Sequence, residues 1–179
     1  MPGMTDCMKS GCAFVVIALA TLAGPATAQV GYSGYSLPLN LALEAATAAV
    51  RSCEAKGWPV TATVVDSSGL VKVVLKADHA VVHTPDTSYR KAYTVVSLGP
   101  IFGFQRSSAF AELVAKYPGG AGPSLTTIPN VIALAGGVAV KRGDEIVAAI
   151  GVGGAPGGDK DEACASDGLA AIQGRVDQK

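Results

Sequence analysis

The chain of 179 residues is poor in charged and aromatic side chains and has only two histidines. Charged residues make up 16% of the sequence and aromatic residues 6%, and 14 basic residues balance 14 acidic ones. A protein that binds nucleic acid neutralises phosphates with an excess of clustered cations. The zero net charge and the lack of any basic cluster therefore argue against nucleic acid as a partner.

Several catalytic and cofactor motifs are also missing. The sequence has no Cys-x-x-Cys-His motif for covalent attachment of a c-type haem and no His-Glu-x-x-His metal-binding motif. It has neither a Gly-x-Ser-x-Gly nucleophile elbow nor the glycine spacing of a phosphate-binding or dinucleotide-binding loop. These absences set aside the commonest hydrolase and nucleotide-binding chemistries.

One long apolar run is present, from Cys12 to Ala23. Lys9 precedes this run, a Gly-Pro pair at 24–25 follows it, and Ala-Thr-Ala at 26–28 is a small-x-small cleavage site. This is the layout of a secretory signal, and a run of about 12 residues is too short for a permanent membrane anchor. We expect cleavage after Ala28 and a secreted or periplasmic protein without a stable membrane anchor; an uncleaved N-terminal tether is the alternative.

The remaining sequence predicts a flexible linker over residues 29–36 and one α+β domain over residues 37–179. Helical spacing of apolar residues and β-branched runs between glycine-containing turns predict the elements. The expected helices are 37–57, 84–98, 107–116 and 159–176, the expected strands are 60–65, 70–75, 131–135, 138–141 and 146–152, and 118–123 is expected to be a loop. The order α-β-β-α-α-β-β-β-α predicts an antiparallel sheet of about five strands flanked by helices, which cover mainly one face.

Two cysteines, Cys53 and Cys164, remain after removal of the signal. In an oxidising compartment an even pair favours a disulfide, which would enclose a long loop and stabilise the fold by about 4–5 kcal/mol on the chain-entropy model. Two buried thiols on helix faces are the alternative.

The only histidines, His79 and His83, lie four residues apart in one short stretch. Imidazole ligates borderline metals near neutral pH, and the flanking Asp78 and Asp86 are potential second partners of the rings. The alternative is that His83 lies beside a helix start and His79 in an exposed loop.

The sequence Arg-Lys-Ala-Tyr-Thr follows at 90–94. A cation beside a phenol can hold a carboxylate through charge-assisted hydrogen bonds, which makes Arg90, Lys91 and Tyr93 candidate binding residues. The alternative is a solvated helix face on which Arg90 pairs with Asp86.

A glycine-rich loop at 153–158 leads into the last predicted helix. Backbone amides at a helix start can hold an anion, but Asp159, Asp161 and Glu162 already occupy this end. Acidic capping of the helix is therefore the expected role of these side chains.

Four segments of the sequence resemble the GlcG/HbpS-like haem-binding and haem-degrading family, which includes the C-terminal domain of PduO-type proteins. They are the Val-Val-Asp to Gly segment at 64–69, the segment from His83 to Thr94, Gly-Gly-Val at 136–138, and the strand-loop-helix segment at 149–165. The resemblance spans about residues 37 to 175, and the Arg-Lys-Ala-Tyr-Thr and closing glycine-rich segments are its most specific parts.

The resemblance implies self-assembly into homo-oligomers and noncovalent binding of haem or another small ligand. It implies His83 or His79 as the iron ligand and Arg90 or Lys91 as the partner of a haem propionate. Three functions are open at this point: an exported haem-binding protein that also degrades haem or only holds it, an enzyme acting on a small organic acid, and a non-catalytic oligomeric sensor or accessory module.

Overall fold

Helical and alternating apolar patterns produce five helices and four strands in the part of the chain that the computed structural model describes, residues 33–177. The predicted signal peptide, its cleavage site and linker residues 29–32 lie outside the described residues. Residues 33–36 have no regular secondary structure. Within residues 33–177, no helix is long and apolar enough to cross a membrane.

The sheet is antiparallel throughout, with the strand order β2-β1-β4-β3. In chain order the elements are α1 (Leu39–Glu54), β1 (Thr61–Asp66), β2 (Val71–Lys76), α2 (Thr84–Phe102), α3 (Ser107–Lys116), α4 (Ala121–Leu125), β3 (Gly137–Arg142), β4 (Glu145–Gly153) and α5 (Gly158–Val176). The predicted α+β class and antiparallel sheet are confirmed, with four strands instead of about five.

The predicted strand at 131–135 does not form, because helix α2 takes up part of its backbone hydrogen bonding. The Arg90 guanidinium donates to the Val131 carbonyl at 2.8 Å, and the Ile132 N–H donates to the Thr94 hydroxyl at 2.9 Å. The Val131 side chain is fully buried. The apolar residues of this segment therefore signal burial and not a sheet ladder.

Two helix predictions are also corrected. Helix α2 continues past Gly99 and Pro100 to Phe102, and it ends at Gly103, which has a φ of 74° and donates its N–H to the Gly99 carbonyl. Left-handed backbone of this kind favours glycine and commonly ends a helix. Because Gly103 provides this end, α2 stops one turn later than the sequence predicts. The stretch predicted as a loop at 118–123 contains the start of the five-residue helix α4.

Helices cover both faces of the sheet, whereas the sequence predicted mainly one. Ala62 and Val64 of β1 face α1 and α5 in the larger core, and Val65 of the same strand faces α2 with Val95. Side chains alternate between the faces of a strand, so a strand buried on both faces has almost no exposed position. Five of the six residues of β1 are buried accordingly.

Helix α2 lies very close to the sheet. The hydroxyls of Thr61 and Thr84 are 2.7 Å apart, and those of Thr63 and Ser88 are also 2.7 Å apart, all four groups being buried. A Cβ atom at Gly151 of β4 would overlap the backbone oxygen of Ser88. These contacts fix the start of α2 against the sheet.

A disulfide joins Cys53 of α1 to Cys164 of α5, with a Cα to Cα distance of 5.7 Å. Of the two alternatives left by the sequence, the structure has the cross-link. Both residues are fully buried, so the bond lies between the two helices that cover one face of the sheet.

Candidate functional site

A cleft of about 270 Å³ lies where the start of α2 meets the glycine-rich loop before α5. We call it the His83 cleft. Its lining comes from the segment before α2, the inner face of α2, the segment before β3 and the start of α5: Val81, His83, Thr87, Lys91, Leu134, Gly154, Ala155, Gly157, Gly158 and Asp161.

A buried ion pair borders the His83 cleft. The Lys91 Nζ lies 2.6 Å from Asp161 Oδ2 and donates to the Val152 carbonyl at 3.0 Å. The two charged side chains are only 4% and 5% exposed. An ammonium has three donors, so one N–H of Lys91 has no protein partner among the described residues. Lys91 is thus a nearly buried cation in the lining of the cleft, already paired with the Asp161 carboxylate.

The Asp161 carboxyl is held by the loop as well as by the lysine. Its Oδ1 accepts the N–H of Ala155 at 2.9 Å. Burial raises the pKa of this carboxyl above its ordinary 3.8, and the Lys91 ammonium and the N–H groups of Ala155 and Gly154 offset only part of that effect. Protonation of Asp161 would weaken the ion pair, and the raised pKa makes that protonation easier than it is for an ordinary aspartate.

His83 occupies the N-cap position of α2, and its side chain makes no capping hydrogen bond. His83 is exposed, and two exposed apolar residues line the cleft with it. Val81 and Leu134, which line the cleft, are 52% and 48% exposed, and Val82 is 90% exposed. An accessible imidazole within an apolar rim can ligate a metal ion carried by a flat apolar ligand.

His79 lies apart from this cleft. It is exposed in the turn after β2 with a φ of 64°, a left-handed conformation, and it does not line the cleft. His79 and His83 are therefore not on one helical face, and their placement matches the loop and helix-start alternative. Within residues 33–177, no group of three or more His, Cys, Asp or Glu side chains is placed to hold a metal ion.

Arg90 and Tyr93 also lie outside the lining of the cleft. The Arg90 guanidinium binds the Val131 carbonyl and lies 3.8 Å from the Asp86 carboxylate, as the solvated-face alternative predicts. The Tyr93 ring packs against Gly69, where an added Cβ atom would approach it to 2.7 Å. Of the three candidates on this helix, the structure brings only Lys91 into contact with the cleft.

The role of Asp161 differs from the one that the sequence predicts. The prediction that the acidic side chains cap α5 is wrong for Asp161, because the start of α5 has no side-chain capping bond. Asp161 Oδ1 instead accepts the N–H of Ala155 in the preceding loop, and its Oδ2 binds Lys91. Asp161 shares its helix face with the buried Cys164 and Gly168. That helical spacing was the available signal that the side chain faces inward.

The antiparallel sheet, the helices on both faces and the cleft at the start of α2 define an α+β domain of known type. The chain belongs to the HbpS-like family: the family model described as "Haem degrading protein HbpS-like" matches residues 37–170. This confirms the family resemblance read from the sequence. No curated protein matches the chain.

Solved structures agree with this membership. A crystal structure of HbpS is 37% identical, with a TM-score of 0.71, and the match covers 79% of this chain and 94% of that one. A double mutant of Streptomyces reticuli HbpS, with two glutamates changed to aspartate, is 38% identical, with a TM-score of 0.71 and coverage of 84% and 97%. A PduOC:heme complex is 23% identical, with a TM-score of 0.68 and coverage of 77% and 96%, and it shows the shared fold alone.

Proposed function

We propose that this protein is exported and binds haem noncovalently at the His83 cleft. The observation that carries the proposal is the exposed His83 in a cleft that the exposed apolar residues Val81 and Leu134 also line. Imidazole is a common axial ligand of haem iron, and apolar side chains suit the face of a porphyrin. The description of the family, haem-degrading proteins, supports the same ligand.

The residues of the His83 cleft have the right chemistry to bind haem, but the cleft is too small to enclose it. The cleft volume of about 270 Å³ is below the roughly 300–1,000 Å³ of pockets that enclose drug-sized ligands. Haem would therefore contact the cleft at one edge and lie across the apolar rim. A second copy of the chain would cover its outer face, which is why we include a homo-oligomer in the proposal.

The residues have different proposed roles. His83 is the first candidate for the iron ligand, and His79, in the exposed turn after β2, is the second. Lys91 would offer its remaining N–H to a propionate. Arg90 is one-third exposed and would have to exchange its contacts with Asp86 and the Val131 carbonyl for a propionate.

Tyr93, also on α2, has no proposed contact with haem, since its ring lies against Gly69 and does not line the cleft. When bound, haem would supply the iron and its redox chemistry, and the protein would supply ligation and orientation. The function that we propose for these residues is the binding of haem.

A small organic acid is the second candidate ligand, and the size of the cleft favours it. A small carboxylate fits within about 270 Å³, where the free N–H of Lys91 can bind it and His83 can exchange a proton. Thermal-shift screening separates the two candidates. Stabilisation by small acids without any response to hemin would favour the second, and a hemin Soret band that depends on His83 would favour the first.

A further inference from the structure

A second concave surface lies at the other end of α2. We call it the α2-end groove; its volume is about 620 Å³, more than twice that of the His83 cleft. The C-terminal end of α2, the turn after it and the β3–β4 hairpin form most of its lining. The 19-residue helix is about 28 Å long at 1.5 Å per residue, and the two sites lie toward its opposite ends.

The floor of the α2-end groove is apolar. Phe104 is 8% exposed, and Ile146 packs close to Gly99, where an added Cβ atom would lie 3.1 Å from the Ile146 Cδ1 atom. A small apolar body can therefore lie on the Phe104 and Ile146 side chains with the rim of charged residues above it.

The rim contains two cations and two carboxylates, but only one group lacks a charged or hydrogen-bonding partner. Glu145 accepts the Ser33 N–H at 2.9 Å, and Lys141 and Asp144 pair at 4.0 Å. The Arg142 guanidinium stacks on a tyrosine ring, and within the described residues its side chain makes no hydrogen bond or ion pair.

The contact of Arg142 with Tyr35 leaves the guanidinium able to bind a ligand. Its guanidinium carbon lies 4.6 Å from the centre of the Tyr35 ring, a cation–π contact that leaves its N–H donors without a hydrogen-bond partner among the described residues. Such a fork binds a carboxylate through two parallel hydrogen bonds. The carboxylates of Asp144 and Glu145 on the same rim favour a singly charged anion over a doubly charged one.

We infer that the α2-end groove is a second ligand site, which binds a small monocarboxylate with an aromatic or branched apolar body. Arg142 binds the carboxylate, and Phe104 and Ile146 contact the body. This inference uses none of the residues of the His83 cleft, so it does not depend on the proposed haem function.

Calorimetric titration of the purified protein with 3-phenylpropionate tests the inference. Arg142→Gln should weaken binding about tenfold or more, because it removes a charge-assisted pair, and Ile146→Ala should weaken it through loss of the apolar contact. Arg51→Gln, which removes an exposed arginine on α1 outside the groove, is the matched control and should bind like the unsubstituted protein.

A neutral analogue, 3-phenylpropan-1-ol, separates the carboxylate contact from the apolar one and should bind at least tenfold more weakly than the acid by the same argument. Circular dichroism of each variant establishes that it is folded. Absence of binding by 3-phenylpropionate, equal affinity in Arg142→Gln, or equal affinity for the alcohol would each overturn the inference.

Discussion

Replacement of Lys91 by methionine should be among the most destabilising single changes in the domain. The substitution keeps much of the side-chain volume but leaves the Asp161 carboxylate, 5% exposed, without the ammonium that lies 2.6 Å away. Breaking a buried pair by removal of one partner costs about 3–5 kcal/mol. The N–H of Ala155 still binds Asp161, so we expect a loss near the lower end of that range.

The assay is urea denaturation followed by circular dichroism at pH 7, which gives the free energy of unfolding for each variant. Lys56→Met is the matched control, because Lys56 forms a salt bridge with Asp167 at 3.8 Å and its side chain is 42% exposed. An exposed pair contributes about 1 kcal/mol or less, so this variant should differ little from the unsubstituted protein. Equal losses for Lys91→Met and Lys56→Met would refute the reasoning.

Three further predictions concern pH, the disulfide and the packing of α2. Burial raises the folded-state pKa of Asp161 above 3.8, so the folded state binds this proton more tightly than the unfolded state does, and stability should fall as pH rises through the window just above 3.8. Asp161→Asn should remove that part of the slope in denaturation at a series of pH values; an unchanged slope would contradict the assignment. Cys53→Ala with Cys164→Ala should lower the free energy of unfolding by about 2–5 kcal/mol, as reduction of the unsubstituted protein should also do; a loss below 1 kcal/mol would argue against the cross-link. Gly151→Ala should cost roughly 1–3 kcal/mol through overpacking against Ser88, and equal stability would show that α2 is not in close contact with β4.

Local patterns predicted most of the fold because they depend on residues close in the chain. The β1–β2 hairpin follows from two β-branched runs around a turn in which Gly69 has a φ of 79°. The segment at 131–135 has the same apolar character but pairs with no strand, since Arg90 and Thr94 bind its backbone. That competition arises only after α2 packs, so no local pattern could indicate it.

In the candidate site too, the sequence predicted some residues, and others depend on contacts between distant parts of the chain. The sequence singled out His83 and Lys91, and the structure brings both into one cleft. Arg90 precedes Lys91 by one residue, which turns its side chain about 100° around the helix, and the sequence could not tell which of the two faces the cleft. The partner of Lys91 is Asp161, 70 residues further along the chain, and a contact at that separation has no local signal.

Titration of purified residues 29–179 with hemin tests the central proposal most directly. The account predicts a Soret band that saturates with added protein, and His83→Ala should lose or shift that band because the imidazole ligand is gone. His79→Ala separates the two candidate ligands: His79 is exposed in a turn outside the cleft, so this variant should keep the band if His83 is the ligand. A Soret band unaffected by His83→Ala, or no spectral change on mixing, would contradict haem ligation at the His83 cleft.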